Sequence, residues 1–494
     1  MSGATVQILV VLAVYIVGIT LLGFLSYRKE ATITDLLMAN REFKFLVLFS
    51  AVFGANISAV TLVGVPGLAY HVGWVTWAYF ATTWAWLTQL LYFTIGSRAY
   101  ILSKRYDVVT ISEVLGLRWK SRGIQWFSAA FLLFYILPYM MVGIIGGGRM
   151  FSGITEGYIP YWVGCLLVTV IVGGYVAIGG MRGAAWVNVF QTVVFLVGGL
   201  TIFLVIVYSL GGFGNATGSI IDHYPELLNR SKMPMQKFFS YGIVCALAVP
   251  LFPQVFSRLL TGKSSKELKK IIMIYPIAGI FLFVLMAYSG MWGHIAFPDL
   301  VGSESDKIIG MLLAKYAPAW LAGIIGAAIF AALLSTPESQ LLAIGQIIMK
   351  DFVLPTRKDK ASRKSDTTLT RILLIMFAFL TFFGALAKPA GIIKIVEWAF
   401  GGFASMFFPV IAALYWKRCG KGAVYASIIT SQFLNIFLPL GVDKFHVIPA
   451  SALCGLLPAF WSIIMGGAVL LIGGLLYPER DTARTDEYFK AFSS

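Results

Sequence analysis

The residue types with the most potential for chemistry lie together in IFAALLSTPESQLLAIGQIIMKD, residues 329–351. An apolar helical pattern of Ala, Leu, Ile and Phe is interrupted by Ser335, Thr336, Pro337 and Glu338, then runs apolar again to Lys350. Two hydroxyls, a proline and a carboxylate halfway down a membrane-length helix are costly in hydrocarbon. They are tolerated where they face a bundle interior or a wet cavity. Pro337 removes one backbone donor and pushes the carbonyl near position 333 off its ladder. The carbonyls and hydroxyls around residues 332–336 are then free to coordinate a hard cation, which oxygen-only ligation suits. The pattern points to an ion or substrate site. The plainer alternative is a Ser/Thr–Pro kink whose hydroxyls bond back to the preceding turn.

Positioning such a group requires a membrane-spanning frame, and the composition supplies one. Of 494 residues, 59% are hydrophobic and only 12% charged, and mean hydropathy is +0.84. These values describe an all-α polytopic membrane protein. About thirteen stretches have spanning length: roughly 5–27, 45–70, 73–97, 124–148, 159–179, 184–210, 238–257, 271–295, 318–349, 370–387, 391–416, 422–440 and 450–476. The first is too long, and too poor in a small-residue cleavage site, for a removable signal peptide.

A net charge of +16 invites an acidic partner or nucleic acid, so its distribution decides. Alternate loops and the tail hold 29 of the 38 cationic residues, Arg258 and Lys263 in the loop after span seven among them. This is the positive-inside pattern. It predicts a plasma-membrane protein with its N-terminus outside and its C-terminus in the cytoplasm, and it leaves nucleic acid without a role. Cys165, Cys245, Cys419 and Cys454 have no paired spacing and read as core residues. His71, His223, His294 and His446 stand singly. No HExxH, GxSxG or GxxxxGK[ST] is present, so neither a membrane hydrolase nor a nucleotide-driven pump is indicated. The chain reads as no enzyme and calls for no cofactor.

Two spans are interrupted like the ninth. FLVLFSAVFGANISAVTLVGVPGLAY carries Gly54, Asn56, Ser58 and Thr61 at mid-depth, and FFSYGIVCALAVPLFPQVFSRLL carries Pro250, Pro253 and Gln254. They lie five spans apart and, by the charge topology, run in opposite directions. Paired discontinuous helices of this kind signal an inverted repeat with a site at the midplane, although close packing of small residues produces similar patterns. The expected organisation is a single transporter domain over 1–494. Residues 1–44 form the first helix and its loop, 45–210 and 236–417 the two five-span repeats, and 418–494 two extra helices with a short cytoplasmic tail. Trp77, Trp84, Trp86 and Gln89 on the third span can line a cavity or form an aromatic belt. Arg149 in IGGGRM can reach the outer mouth or snorkel.

Four of these segments resemble the sodium/solute symporter family, which includes bacterial proline, pantothenate, sialic acid and sugar transporters. ANISAVTLVGVPGLAY is similar to the family's first core helix. IGGMRGAAWVNVFQ is similar to its GG-x-x-A-x-x-W-T-D-x-x-Q signature, LLSTPESQLL to its S-[ST]-x-x-[SA]-Q-L-L helix, and WAFGGFASMFFPV to its eleventh span. The resemblance covers essentially the whole chain and implies a leucine-transporter-like fold of five plus five inverted helices. It implies a sodium site made by the carbonyls of Gly54, Ile57 and Ala332 and the hydroxyls of Ser335 and Thr336. Substrate is then expected near Asn56, Ser58, Thr61, Gln89 and Gln254, with Trp77 and Tyr139 as walls. The signature's Asp is Asn188 here, while Glu338 and Ser339 stand one turn below the first site. These three are candidates for a second cation, and Glu338 for a proton.

The resemblance implies a secondary active symporter coupling inward sodium flow to uptake of a small organic solute, functional as a monomer in the bilayer. Asn56 stands where proline members have a carboxylate, and Val60 and Thr61 where sugar members have Glu and Gln. An organic anion such as a monocarboxylate or pantothenate is therefore preferred. A proton-coupled carrier using Glu338 and a transporter-like ligand sensor are the alternatives. A passive channel would need rings of pore-lining charge that are not found.

Overall fold

Inside hydrocarbon every backbone polar group has to be satisfied within the segment itself, which an apolar chain achieves by helix formation. The computed structural model describes residues 3–25, 32–57, 60–155, 157–356, 363–387 and 392–492. Among them no strand occurs, only isolated bridges at Phe43–Gly262 and Cys419–Pro478. The helices that matter for the site are α1 (Gly3–Leu25), α2 (Phe45–Asn56), α3 (Val65–Val72), α4 (residues 75–106), α5 (Ile111–Trp119), α6 (Arg122–Ile154) and α7 (Tyr161–Ser209). They continue with α8 (Met235–Ala248), α9 (Pro253–Leu259), α10 (Ser265–Met291), α11 (Ala319–Ile347) and α12 (Arg363–Leu386). The set closes with α13 (Ile392–Ala404), α14 (Phe407–Tyr415), α15 (Lys421–Pro439), α16 (Pro458–Leu476) and α17 (Thr482–Phe489).

Nine of the described helices are long and apolar enough to cross a membrane, or eleven counting the bent pairs α2–α3 and α8–α9 as one crossing each. One more crossing follows from geometry. As a straight rod, the 49-residue α7 would be roughly 70 Å long, more than twice the ~30 Å hydrocarbon core. Its Tyr175 and Asn188, about 20 Å apart on a straight helix, both reach the one carboxylate of Glu338. The chain therefore folds back on itself between them. Gly180 is the hinge, with φ 56° and ψ −151°, a conformation that only glycine adopts without strain. The α4 run is helical throughout but widened by π-type turns at 81–87 and 92–96.

α1 shows how the bundle sorts apolar surface. Leu12, Tyr15 and Ile19 are buried, while Val6, Val10, Val14, Val17 and Leu21 are exposed. Both stripes repeat at helical spacing, one toward protein and one toward lipid. Inward, α1, α6 and α7 surround α11, whose residues 330–347 are all buried. The predicted interruption at Pro337 is not a break, because α11 stays helical through it. The freed carbonyl of Leu333 and the proline ring face Gly143 of α6. Two sequence readings need correction. Cys454 is exposed, unlike the other three cysteines. Arg258 belongs to no loop and has no exposed side-chain surface.

Candidate ion and solute site

α2 ends at Asn56, where Ile57 turns extended (φ −76°, ψ 114°) and its N–H still bonds Phe53 O at 2.7 Å. A helix that stops here leaves the Ile57 carbonyl free to point across the bundle. It meets α11: Ser335 Oγ lies 3.2 Å from Ile57 O and 3.0 Å from Ala332 O. One hydroxyl thus joins two of the expected carbonyls. Thr336 is buried beside it, and its Oγ1 has no protein partner. Gly54, one turn back on α2, sits so close to Asn188 that an added Cβ would lie 2.3 Å from Asn188 Oδ1. Ile57, Ala332 and Ser335 meet where α2 ends against α11, Thr336 follows in the chain, Gly54 faces Asn188 of α7, and all five are buried.

Part of the expected solute set gathers at the break of the seventh span. Pro250 and Pro253 bracket Phe252, which is extended (φ −61°, ψ 121°) and ends one helix as Pro253 opens α9. The Phe252 ring packs on Phe400 of α13 at 4.8 Å and on Tyr139 of α6 at 5.6 Å. Trp84, in the first wide turn of α4, packs edge-on to the same Phe400 at 5.9 Å. Gln89 and Gln254 flank this aromatic cluster, both buried, and neither amide of either has a protein partner. Asn56 donates to Tyr275 Oη, and Tyr275 packs edge-on to Tyr92, one turn from Gln89. Thr61 is buried in the wide turn before α3. Trp77 is not brought into the cluster: it is half-buried and stacks on Trp74 at 4.9 Å, about 10 Å up the helix from Trp84. Trp86 is exposed, and Arg149 is exposed near the end of α6. Ser58 lies outside the described residues.

One turn below the hydroxyls, Glu338 is fully buried and fully engaged. Asn188 Nδ2 donates to Oε1 at 2.6 Å and Tyr175 Oη donates to Oε2 at 2.5 Å. Arg258 Nη2 donates to Oε1 at 3.1 Å, and Arg258 Nη1 donates to Ala51 O at 3.0 Å. Asn188 Nδ2 also meets Ala184 O at 2.9 Å, so two acceptors set the direction of that amide. Ser339 turns away, its Oγ bonded to Ser335 O and Thr336 O of its own helix. Of the three candidates for a second cation, Asn188 and Glu338 are joined in a network with the Arg258 guanidinium, and Ser339 stays outside it. Arg258 and Tyr175 escaped the sequence reading, as did Phe252, Phe400 and the unpartnered Gln340. The available signal for Arg258 was its flanks, since FSRLL continues an apolar run past the cation.

Three oxygens thus meet at Ser335, and the amides of Gln89 and Gln254 are buried without protein partners. The family model "Sodium:solute symporter family" matches residues 36–430, most of the chain. The chain belongs to that family. A sodium/pantothenate symporter of Escherichia coli (strain K12) is 29% identical over 467 residues, spanning 91% of this chain and 95% of that one. A sodium/proline symporter of Haemophilus influenzae (strain ATCC 51907 / DSM 11121 / KW20 / Rd) is 25% identical, over 89% and 90%. A solved sodium-coupled sialic acid symporter, in a substrate-bound outward-open state, superposes with TM-score 0.79 at 18% identity, covering 95% of this chain and 96% of that one. A nucleobase-cation-symport-1 transporter superposes with TM-score 0.55 at 11% identity, covering 92% and 98%. The likeness establishes the leucine-transporter-like fold. As a sodium:solute symporter, the chain is a multi-pass membrane transporter with sodium as coupling ion and a small-molecule solute as cargo. It is not an enzyme.

Proposed function

We propose that the protein couples inward sodium flow across the plasma membrane to uptake of a small organic anion, of the pantothenate or monocarboxylate class, by alternating access. Sodium is held by the carbonyls of Gly54, Ile57 and Ala332 and the hydroxyls of Ser335 and Thr336. The solute lies beside it, against Asn56, Thr61, Gln89, Gln254 and Tyr139, with Trp84, Phe252 and Phe400 as apolar walls. The observation that carries this reading is the pair Gln89 and Gln254, each buried with its whole amide unpartnered. Buried polar groups are nearly always satisfied, and two primary amides suit a ligand that has carboxylate, amide and hydroxyl groups together. The pantothenate relatives, at 29% and 28% identity, support the same class over the proline ones. One chain supplies every residue, so a monomer suffices. A membrane potential of about 100 mV contributes roughly 2.3 kcal/mol per net charge moved; one sodium carried with a monovalent anion moves none, so accumulation then draws on the sodium gradient alone.

A thermal-shift screen of purified protein against pantothenate, short monocarboxylates, proline and sugars, each with and without sodium, tests solute and ion together. Pantothenate or a monocarboxylate should raise Tm only when sodium is present. Stabilisation by proline or a sugar alone would reassign the solute, and stabilisation indifferent to sodium would undo the coupling. Uptake into proteoliposomes then separates a carrier from a sensor, which would bind without transport.

A further inference from the structure

Both legs of the α7 hairpin, through Tyr175 and Asn188, and α9, through Arg258, converge on the Glu338 carboxylate of α11, while α2 meets the other arm of the guanidinium through Ala51 O. Every group aimed at it is a donor. A carboxylate offers about four lone-pair positions, and three of them are taken by N–H and O–H groups at 2.5–3.1 Å. A bound sodium needs oxygen lone pairs around it. On the facing helix Asn188 Oδ1 lies beside Gly54, and the Ser339 hydroxyl is turned onto its own helix. The guanidinium, by contrast, fits. One fork takes the carboxylate and the other a main-chain carbonyl, the geometry for which arginine is suited. An amide at 188 completes the arrangement, because a second carboxylate there would leave one cation facing two buried anions.

We propose that Arg258 is a tethered cation that permanently fills the Glu338 site, so that this symporter carries a single sodium, at Ser335 and Thr336, and Glu338 takes neither a second sodium nor a proton. The inference rests on the sodium-site reading above and adds to it the number of ions. It also makes the second site latent: with the guanidinium removed, Glu338 and the oxygens of Asn188 and Ser339 become a carboxylate-based cation site within reach of α2.

Equilibrium binding of radioactive sodium to purified, monodisperse protein tests this directly. The wild type should bind about one ion per chain, and the Ser335→Ala/Thr336→Ala variant none. Arg258→Gln should bind about two, and Arg258→Gln/Glu338→Gln should return to one, since both charges are then gone. If Arg258→Gln does not fold, the wild type and the charge-free double variant still decide, because both keep the buried charge balanced. Two ions on the wild type, with one surviving in Ser335→Ala/Thr336→Ala, would overturn the tethered-cation proposal and leave the sodium site standing. One ion on the wild type that survives in Ser335→Ala/Thr336→Ala and is lost in Glu338→Gln overturns it as well. No sodium on the wild type overturns the sodium-site reading and this inference with it.

Discussion

Ser335 has one proton and two carbonyls within reach, those of Ala332 and Ile57. A cation seated between these carbonyls takes the proton's place, and the hydroxyl then turns a lone pair toward the ion. Thr336, whose hydroxyl has no protein partner, supplies the next oxygen. Ser335→Ala/Thr336→Ala should therefore weaken sodium activation of uptake by about tenfold or more while expression persists. Sodium titration of uptake in proteoliposomes reads this, and an unchanged half-saturation would remove both hydroxyls from the site. Gln89 and Gln254 allow a sharper test, because structural and functional roles predict opposite signs. Each buried, unsatisfied amide costs about 1–3 kcal/mol of desolvation. Gln89→Leu and Gln254→Leu should hold or raise Tm while the affinity for pantothenate or the responding monocarboxylate falls by about tenfold or more. Lower Tm with unchanged affinity would make these amides structural. The hydroxyl pair was legible in the sequence because polarity at mid-span is expensive wherever it occurs. Arg258 was not, since a lone cation after an apolar run reads as a loop residue until the turn at Phe252 carries it under Glu338.

At the scale of elements, two features set the geometry: the breaks at Ile57 and Phe252, and the reversal at Gly180. The breaks were legible from Pro250, Pro253 and the polar centre of the second span. The reversal was legible only as a gap between two apolar runs, because the glycine's ψ of −151° is a property of the folded backbone. The wide turns of α4 left no trace in a sequence of ordinary helix formers, and Trp84, which packs on Phe400, lies in the first of them. Gly180 can be tested against an internal standard. A Cβ at Gly180 would sit 2.5 Å from Leu36 O, whereas Gly212, also at positive φ, has open space around it. Backbone strain of this kind costs about 1–3 kcal/mol, so Gly212→Ala should lower Tm modestly. Gly180→Ala carries the strain and the collision with Leu36 and should lower it clearly further. Equal shifts in thermal unfolding would show that the α7 hairpin does not depend on close contact with Leu36.

The whole molecule is asymmetric in charge, and by the positive-inside rule that asymmetry predicts its direction in the membrane. On the basic face, Arg118 Nη2 donates to Lys417 O and Trp119 Nε1 donates to Cys419 O, while Lys350 and Arg41 both pair with Asp107. At the opposite ends of the spans, Gly455 lies against Gln236 at the start of α8, and Leu457 N–H bonds Ser240 Oγ. Cys454 belongs to that second face and is exposed, whereas Cys165, Cys245 and Cys419 are buried. The protein therefore carries a native reporter of its own orientation. If the basic face is cytoplasmic, a membrane-impermeant maleimide added to intact cells should label the wild type, and Cys454→Ser should abolish the label. The buried cysteines should stay silent until the protein is denatured. Labelling that appears only after the membrane is opened would invert the topology. The Ser335–Thr336 site would then be approached from the other side, and the direction of coupled uptake would have to be reversed with it.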